Sequence, residues 1–126
     1  MTVFLDLEDA LGQINYLGFY VRDLGLLEGC LARPKTTLFG DEAYPSLSDK
    51  AAALMHSVAT THQLIDGNKR TSWALMVTFL AVNGFDVVSN PDDGFSFVLS
   101  VATDSLEVSA ISQWIASRMK PITQLD

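Results

Sequence analysis

The run His62-Gln63-Leu64-Ile65-Asp66-Gly67-Asn68-Lys69-Arg70-Thr71-Ser72-Trp73-Ala74-Leu75-Met76-Val77-Thr78-Phe79-Leu80-Ala81-Val82 decides how the chain is read. Its second part, roughly Lys69 to Val82, is apolar on nearly every side, through Trp73, Ala74, Val77, Phe79, Leu80 and Ala81. A helix that is hydrophobic all round belongs in the interior, so this is the expected central helix of the fold. Asn83-Gly84 ends it, because a residue in left-handed conformation commonly follows a helix. The first part, His62 to Asn68, is a short polar break that separates it from the helix before.

Reading outward, Ser46 or Ser48 is placed to cap that preceding helix, which runs to about Thr61 with Ala51, Leu54, Met55, Val58 and Ala59 apolar. Nearer the N-terminus, Leu7, Leu11, Ile14, Leu17 and Val21 recur at three- and four-residue steps. They predict a helix over roughly Leu7 to Val21, with Asp6 as its N-cap. Gly12 and Gly18 weaken it by about 1 kcal/mol each relative to Ala. Asp23 caps a shorter helix to about Arg33, with Leu24, Leu27 and Leu31 inward, and Pro34 stops it. Downstream, Phe85, Val87 and Val88 make a short extended piece. Asn90 and Pro91 then start another helix by capping and first-turn proline preferences, with Phe95, Val98, Leu99 and Ala102 as its inner face. Leu106 to Val108 read as extended, and Ser109 caps a last helix carrying Ile111, Trp114, Ile115 and Met119. Trp73 and Trp114 sit at apolar helical positions and are expected in the core. The class is therefore all-α: a compact bundle of about six helices with at most very short strands. No repeat or linker divides the chain, so residues 1–126 are expected to form a single domain.

Pro34 to Leu47 is the one long loop, and its content is unusual. Thr36, Thr37, Leu38, Phe39 and Tyr44 are β-prone or aromatic, whereas loops are commonly polar because their backbone stays solvated. Two readings stand. Leu38 and Phe39 tuck back onto the core, or the segment is a flap with a hairpin-like edge that accepts an extended peptide.

Composition narrows the functional classes. With 48% hydrophobic and 18% charged residues the chain is globular, and 126 residues bury a core that stands without staples. The single cysteine, Cys30, excludes an internal disulfide. A formal charge of -7 counts against a nucleic-acid partner, since phosphate neutralisation asks for a basic surface. Met1 to Asp9 holds acids and no Lys or Arg, unlike a signal peptide, and no apolar run reaches the roughly 18 residues of a membrane span. The expected location is the cytoplasm. With one Cys and no His-Glu-x-x-His spacing, a zinc site is not expected.

The nine residues His62 to Arg70 carry the chemistry. Backbone N–H groups at a helix start point outward, and the helix dipole makes that end positive. Gly67 lacks a Cβ and lets a ligand approach the backbone. Lys69 and Arg70 add two cations where the dipole disfavours them, which points to an anion such as a phosphate at the same place. Asp66 offers a hard carboxylate for Mg2+ between phosphate oxygens. An imidazole titrates near neutrality, so His62 is suited to take a proton from a hydroxyl. Base, metal ligand and anion cradle together are the parts of phosphate-group transfer. Each residue alone has a plainer reading: a capping or surface His, a solvated Lys-Arg pair, an Asp-Gly-Asn turn. Their convergence within nine residues, at the mouth of a buried helix, raises the chemical reading without closing the plainer ones.

This stretch resembles the signature of the Fic/Doc superfamily, His-Pro-Phe-x-Asp/Glu-Gly-Asn-Gly-Arg. Leu64 stands at the Phe position, Asp66, Gly67, Asn68 and Arg70 match, and Lys69 replaces the second Gly, the mark of the death-on-curing (Doc) toxin branch. Arg22-Asp23-Leu24-Gly25-Leu26-Leu27-Glu28, Leu31-Ala32-Arg33-Pro34, Phe39-Gly40, Tyr44-Pro45 and Phe79-Leu80-Ala81-Val82-Asn83-Gly84 extend the similarity over most of the chain.

The resemblance implies a Fic-like helical bundle and an ATP-dependent transferase. Most Fic enzymes transfer AMP from ATP to a protein hydroxyl. The death-on-curing branch transfers the γ-phosphate instead, to a threonine of translation elongation factor Tu, and halts translation. A Lys in place of the second Gly crowds the space that AMP-transferring members leave for the phosphate groups. The roles it implies here are His62 as general base, with Lys69 the second catalytic group, and Asp66 as the Mg2+ ligand. Gly67, Asn68, Lys69 and Arg70 would bind the nucleotide's phosphates, and Thr36, Thr37, Leu38 and Phe39 would form the target-docking flap. ATP and Mg2+ are the implied cofactors. Two positions depart from the pattern. Leu64 replaces an aromatic with another large apolar residue, and Thr60 stands where the branch has an Arg two residues before the motif His. AMP transfer and an inactive Fic-fold binding module remain as alternatives. No Ser/Thr-x-x-x-Glu-Gly/Asn inhibitory helix is present, since Leu24 precedes Glu28-Gly29. Restraint is therefore expected from a separate antitoxin chain, whose C-terminal segment lies in a groove near Leu7 to Val21 or the flap.

Overall fold

The computed structural model of the chain describes residues 1–122. Six helices follow one another: α1 (Leu7–Leu17), α2 (Leu24–Ala32), α3 (Leu47–Thr60), α4 (Asn68–Val82), α5 (Pro91–Ala102) and α6 (Val108–Ala116). Two antiparallel pairs of very short strands interrupt them. β1 (Thr37–Leu38) pairs with β2 (Asp41–Glu42), and β3 (Phe85–Val87) with β4 (Met119–Pro121). The class is all-α, as the apolar periodicities predict, and the compact bundle with very short strands agrees with the fold the resemblance implies.

α3 and α4 form the centre. Ala51 to Met55, Val58, Leu75, Met76, Phe79 and Leu80 are buried, and α1, α5 and α6 pack around them. The small Ala51-Ala52-Ala53 run lets neighbouring backbones approach closely, while Met55, Met76 and Phe79 fill the space between layers. Asp6, Asp23, Ser46 and Asn90 cap α1, α2, α3 and α5, each side chain accepting a backbone N–H three residues on. Pro91 fills the first turn of α5 as expected.

Some boundaries and faces differ from the sequence expectations. α1 stops at Leu17, because Gly18 adopts φ 83° and closes the helix in left-handed conformation. Val21, expected on that helix, is extended and bridges Leu64 instead. Leu24 faces out, and the inward side of α2 is Leu27, Cys30 and Leu31. Phe39 and Leu38 do not tuck onto the core. They sit exposed at the tip of the β1–β2 hairpin, with Phe39 itself in left-handed conformation at φ 52°. Met119 leaves the last helix and enters β4, which had no signature of its own beside Pro121. α6 is preceded by Glu107 as N-cap rather than capped by Ser109. Of the expected inner face of α5, Val98 and Ala102 pack partly buried against the core. Gly94, Phe97 and Val101 are buried, while Phe95 and Leu99 are exposed. Phe97 stacks on Trp114 at 3.8 Å between ring centroids, and Trp73 meets Trp114 edge-on at 6.1 Å, so both Trp rings are only half-buried.

Burial and hydrogen bonding move the titration of two groups in the bundle. Cys30 is buried, and that burial pushes its thiol pKa up despite the nearby Thr61 hydroxyl and Arg33 charge. Asp49 ties α3 to α6: Ser112 Oγ donates to its Oδ1 at 2.6 Å, while Ser46 and Asp49 form a capping box. The Ser112 bond, then the Ser46 contacts, outweigh desolvation and hold the Asp49 carboxyl below its ordinary value. A lowered folded pKa contributes stability that is complete above the unfolded value, near pH 4, and is lost as pH falls through the folded value. Ser112→Ala is therefore expected to cost about 1 kcal/mol at pH 7, the deficit shrinking as pH falls through the folded value. Urea denaturation of both proteins across that range measures it.

Candidate functional site

The loop 62–67 has no regular structure, so its backbone must find partners elsewhere. The segment after α1 supplies them. The Arg22 and Asp23 N–H groups both donate to the Gln63 carbonyl, at 2.8 and 3.0 Å, and Ile65 N–H donates to the Tyr20 carbonyl at 3.1 Å. The Arg22 guanidinium donates to the carbonyl of His62. Gln63 is fully buried, with its Nε2 on the Val58 carbonyl at 3.0 Å, and Leu64 is buried beside it. Asn68 closes the loop from within: its Oδ1 accepts the Leu64 N–H at 3.2 Å and its Nδ2 donates to the Leu64 carbonyl at 3.3 Å. The side chain of Asn68 is thus committed to holding the loop.

Gly67 has φ 87°, and a Cβ there would lie 2.4 Å from the Phe19 ring. The space it leaves is filled by that ring, so the glycine serves a tight turn against Phe19 rather than the approach of a ligand from that side. Asp66 Oδ1 accepts the Gly67 N–H at 2.8 Å, which leaves its other oxygen free toward solvent. No side chain caps α4, and its first turn carries no acid. Its open N–H groups and dipole therefore remain available to an anion.

These residues face one cleft of about 760 Å³. His62, Asp66, Gly67, Asn68, Lys69 and Arg70 line one side, so the imidazole, the carboxylate and both cations meet in the same space. The opposite wall is α5, with Phe95, Val98 and Leu99. Trp73 lies in the lining as well. The sequence reading missed this wall, assigning those residues to the core. Its signal was present, since α5 carries apolar residues on two sides where one buried stripe suffices. Arg22 was missed as a brace because its contact spans forty residues of chain. The hairpin residues Thr36 to Phe39 are not in the cleft lining and stand apart as an exposed edge. Thr60 does not supply the missing cation's contact: its hydroxyl donates back to the His56 carbonyl at 2.7 Å.

Mg2+ commonly takes one or two carboxylates and completes its shell with water and phosphate oxygens. Asp66, exposed in the cleft, fits that habit. No group of three or more His, Cys, Asp or Glu that could hold a metal by itself exists among the described residues.

A helical bundle with a His, Asp and Lys-Arg loop at the open end of its central helix belongs to the Fic-like class. Residues 2–80 match the Fic/DOC family model. The protein named Toxin Doc of Mycolicibacterium smegmatis (strain ATCC 700084 / mc(2)155) is 45% identical over 121 residues, covering 92% of this chain and 93% of that protein. The chain therefore belongs to the Fic/DOC family. The family generally transfers groups to protein hydroxyls.

Gly67→Ala should destabilise the protein by about 2 kcal/mol or more, from the left-handed backbone and the ring collision together. Adding Phe19→Ala removes only the collision. The double variant is expected to lose less stability than the sum of the singles in urea denaturation. Strict additivity would mean that the ring does not press on this turn.

Proposed function

We propose that this chain is the toxin of a toxin–antitoxin pair and acts as a protein-hydroxyl kinase. It transfers the γ-phosphate of ATP to a serine or threonine of an elongation factor Tu-like translation factor and so blocks translation. The observation that carries the reading is the gathering of His62, Asp66, Lys69 and Arg70 on one side of a single cleft, at the uncapped end of α4. Lys69 at the position of the second motif glycine favours phosphate over AMP as the transferred group.

The chemistry follows from these residues. The target hydroxyl oxygen attacks the γ-phosphorus. The bond to the β–γ bridging oxygen breaks, ADP leaves with that electron pair, and the hydroxyl proton passes to His62. Lys69, Arg70 and the N–H groups that open α4 stabilise the charge spread over the phosphate oxygens. Asp66 would hold Mg2+, which would supply charge neutralisation to the phosphates. Phe95, Val98 and Leu99 add an apolar surface to the same cleft. The exposed β1–β2 edge is the docking strip for the target.

The antitoxin belongs to the same proposal. Leu7, Leu11 and Ile14 are turned against the core and so do not offer an open apolar face to a partner helix. The exposed apolar residues near the cleft are Ile65, Phe95 and Leu99, and a helix of the antitoxin would lie across them.

Purified chain, Mg2+, elongation factor Tu and ATP labelled at the γ- or α-phosphate form the test. Label from γ-labelled ATP and a target mass gain of one phosphate are expected. Transfer from α-labelled ATP alone would overturn the kinase reading in favour of AMP transfer. His62→Ala is expected to slow transfer by about 10²–10⁴-fold. An unchanged rate, with toxicity retained in cells, would point instead to a binding module.

A further inference from the structure

Lys50 is the one buried charge among the described residues, at 2% exposure. It lies in the first half of α3, near the end where the dipole disfavours a cation. An ammonium is retained out of water only where its hydrogens all find acceptors. Three acceptors surround it, and all belong to one segment: the Tyr44 carbonyl at 2.5 Å, the Pro45 carbonyl at 3.1 Å and Glu42 Oε1 at 3.2 Å.

A second cation holds the other foot of that segment. Arg33 Nε donates to the Tyr44 hydroxyl at 3.0 Å, and its guanidinium lies over the Tyr44 ring. The same guanidinium donates to Ser57 Oγ at 2.9 Å and His56 Nδ1 at 2.8 Å, both on α3. Thr36 Oγ1 donates to the Arg33 carbonyl at 2.7 Å, and the Ala43 N–H donates to the Thr36 carbonyl at 2.9 Å to close the hairpin base. Beyond this base, β1 and β2 are two residues each, exposed, and paired only with one another. A hairpin of that size does not persist on its own in water.

We propose that Lys50 is the positioning residue of the flap: it holds the β1–β2 hairpin as a preformed edge, so that a protein target docks without first ordering it. The inference rests on the reading of the hairpin as the target-docking strip. Preorganisation lowers the ordering cost of association. Losing it weakens target docking and leaves the nucleotide cleft untouched, because Lys50 is outside the cleft lining.

The test compares the full chain with Lys50→Met, which keeps the buried stem and removes the donors, and with Glu42→Gln, an exposed change that weakens one of the three contacts. Hydrogen exchange at the Ala43 amide reads the hairpin, and steady-state phosphate transfer to elongation factor Tu reads docking. Lys50→Met is expected to speed exchange at Ala43 and raise KM for the target by about tenfold each, while kcat and KM for ATP stay within about twofold. Glu42→Gln is expected to move the same two quantities in the same direction by less. Unchanged exchange in both variants overturns the proposal. So does a fall in kcat at unchanged target KM, which would mark Lys50 as acting on the bundle. If the unaltered chain transfers no phosphate, the kinase reading fails on its own, and the exchange measurement still decides whether Lys50 holds the hairpin.

Discussion

The structure depends on how an irregular loop at the heart of a helical bundle finds partners for its peptide groups. His62 to Gly67 enters the innermost helix, where an unpaired N–H or carbonyl costs more than it does at the surface. Three residues after α1 meet much of this demand by lying antiparallel to the loop, Asn68 pairs with both peptide groups of Leu64 from inside, and Asp66 accepts the Gly67 N–H. The clasp exists only because Gly18 ends α1 early and turns the chain toward Leu64. Phe19, the next residue, then fills the space left by Gly67. One glycine thus frees the strand that pairs with the loop, and a second accepts the ring that arrives with it. The side chains of His62, Asp66, Lys69 and Arg70 are left to the cleft because the loop's backbone is already satisfied elsewhere.

What the sequence makes legible follows from range. Local devices read well: Asp6, Asp23, Ser46 and Asn90 are the caps expected from their chemistry, and α4 is central because no side of it is polar enough for water. The set of residues gathered at the cleft was also legible, since one helix start presents them all. Contacts across distant segments were not. Arg22 on the His62 carbonyl and Lys50 on the hairpin have no periodicity that announces them. A buried Lys in an otherwise apolar helix face is the nearest thing to a signal.

The α5 face shows a different limit. A pattern of apolar residues reports which side of a helix avoids water, but not whether protein or ligand will cover it. Phe95 and Leu99 obey the helical period as well as Phe97 and Val101 do, yet they are exposed and line the cleft shared with the loop 62–67. Expecting them in the core was sound as hydrophobicity and wrong as topology. Phe39 shows the same limit: the composition of its loop allowed it a place on the core, and it stands exposed at the hairpin apex.

The sulfur of Cys30 carries one more implication. Oxidants and electrophiles react with thiolate, and this thiol keeps its proton in an enclosed apolar setting between α2 and the end of α3. The chain has no other cysteine. Oxidants that attack thiolate therefore find little purchase on this fold at cysteine.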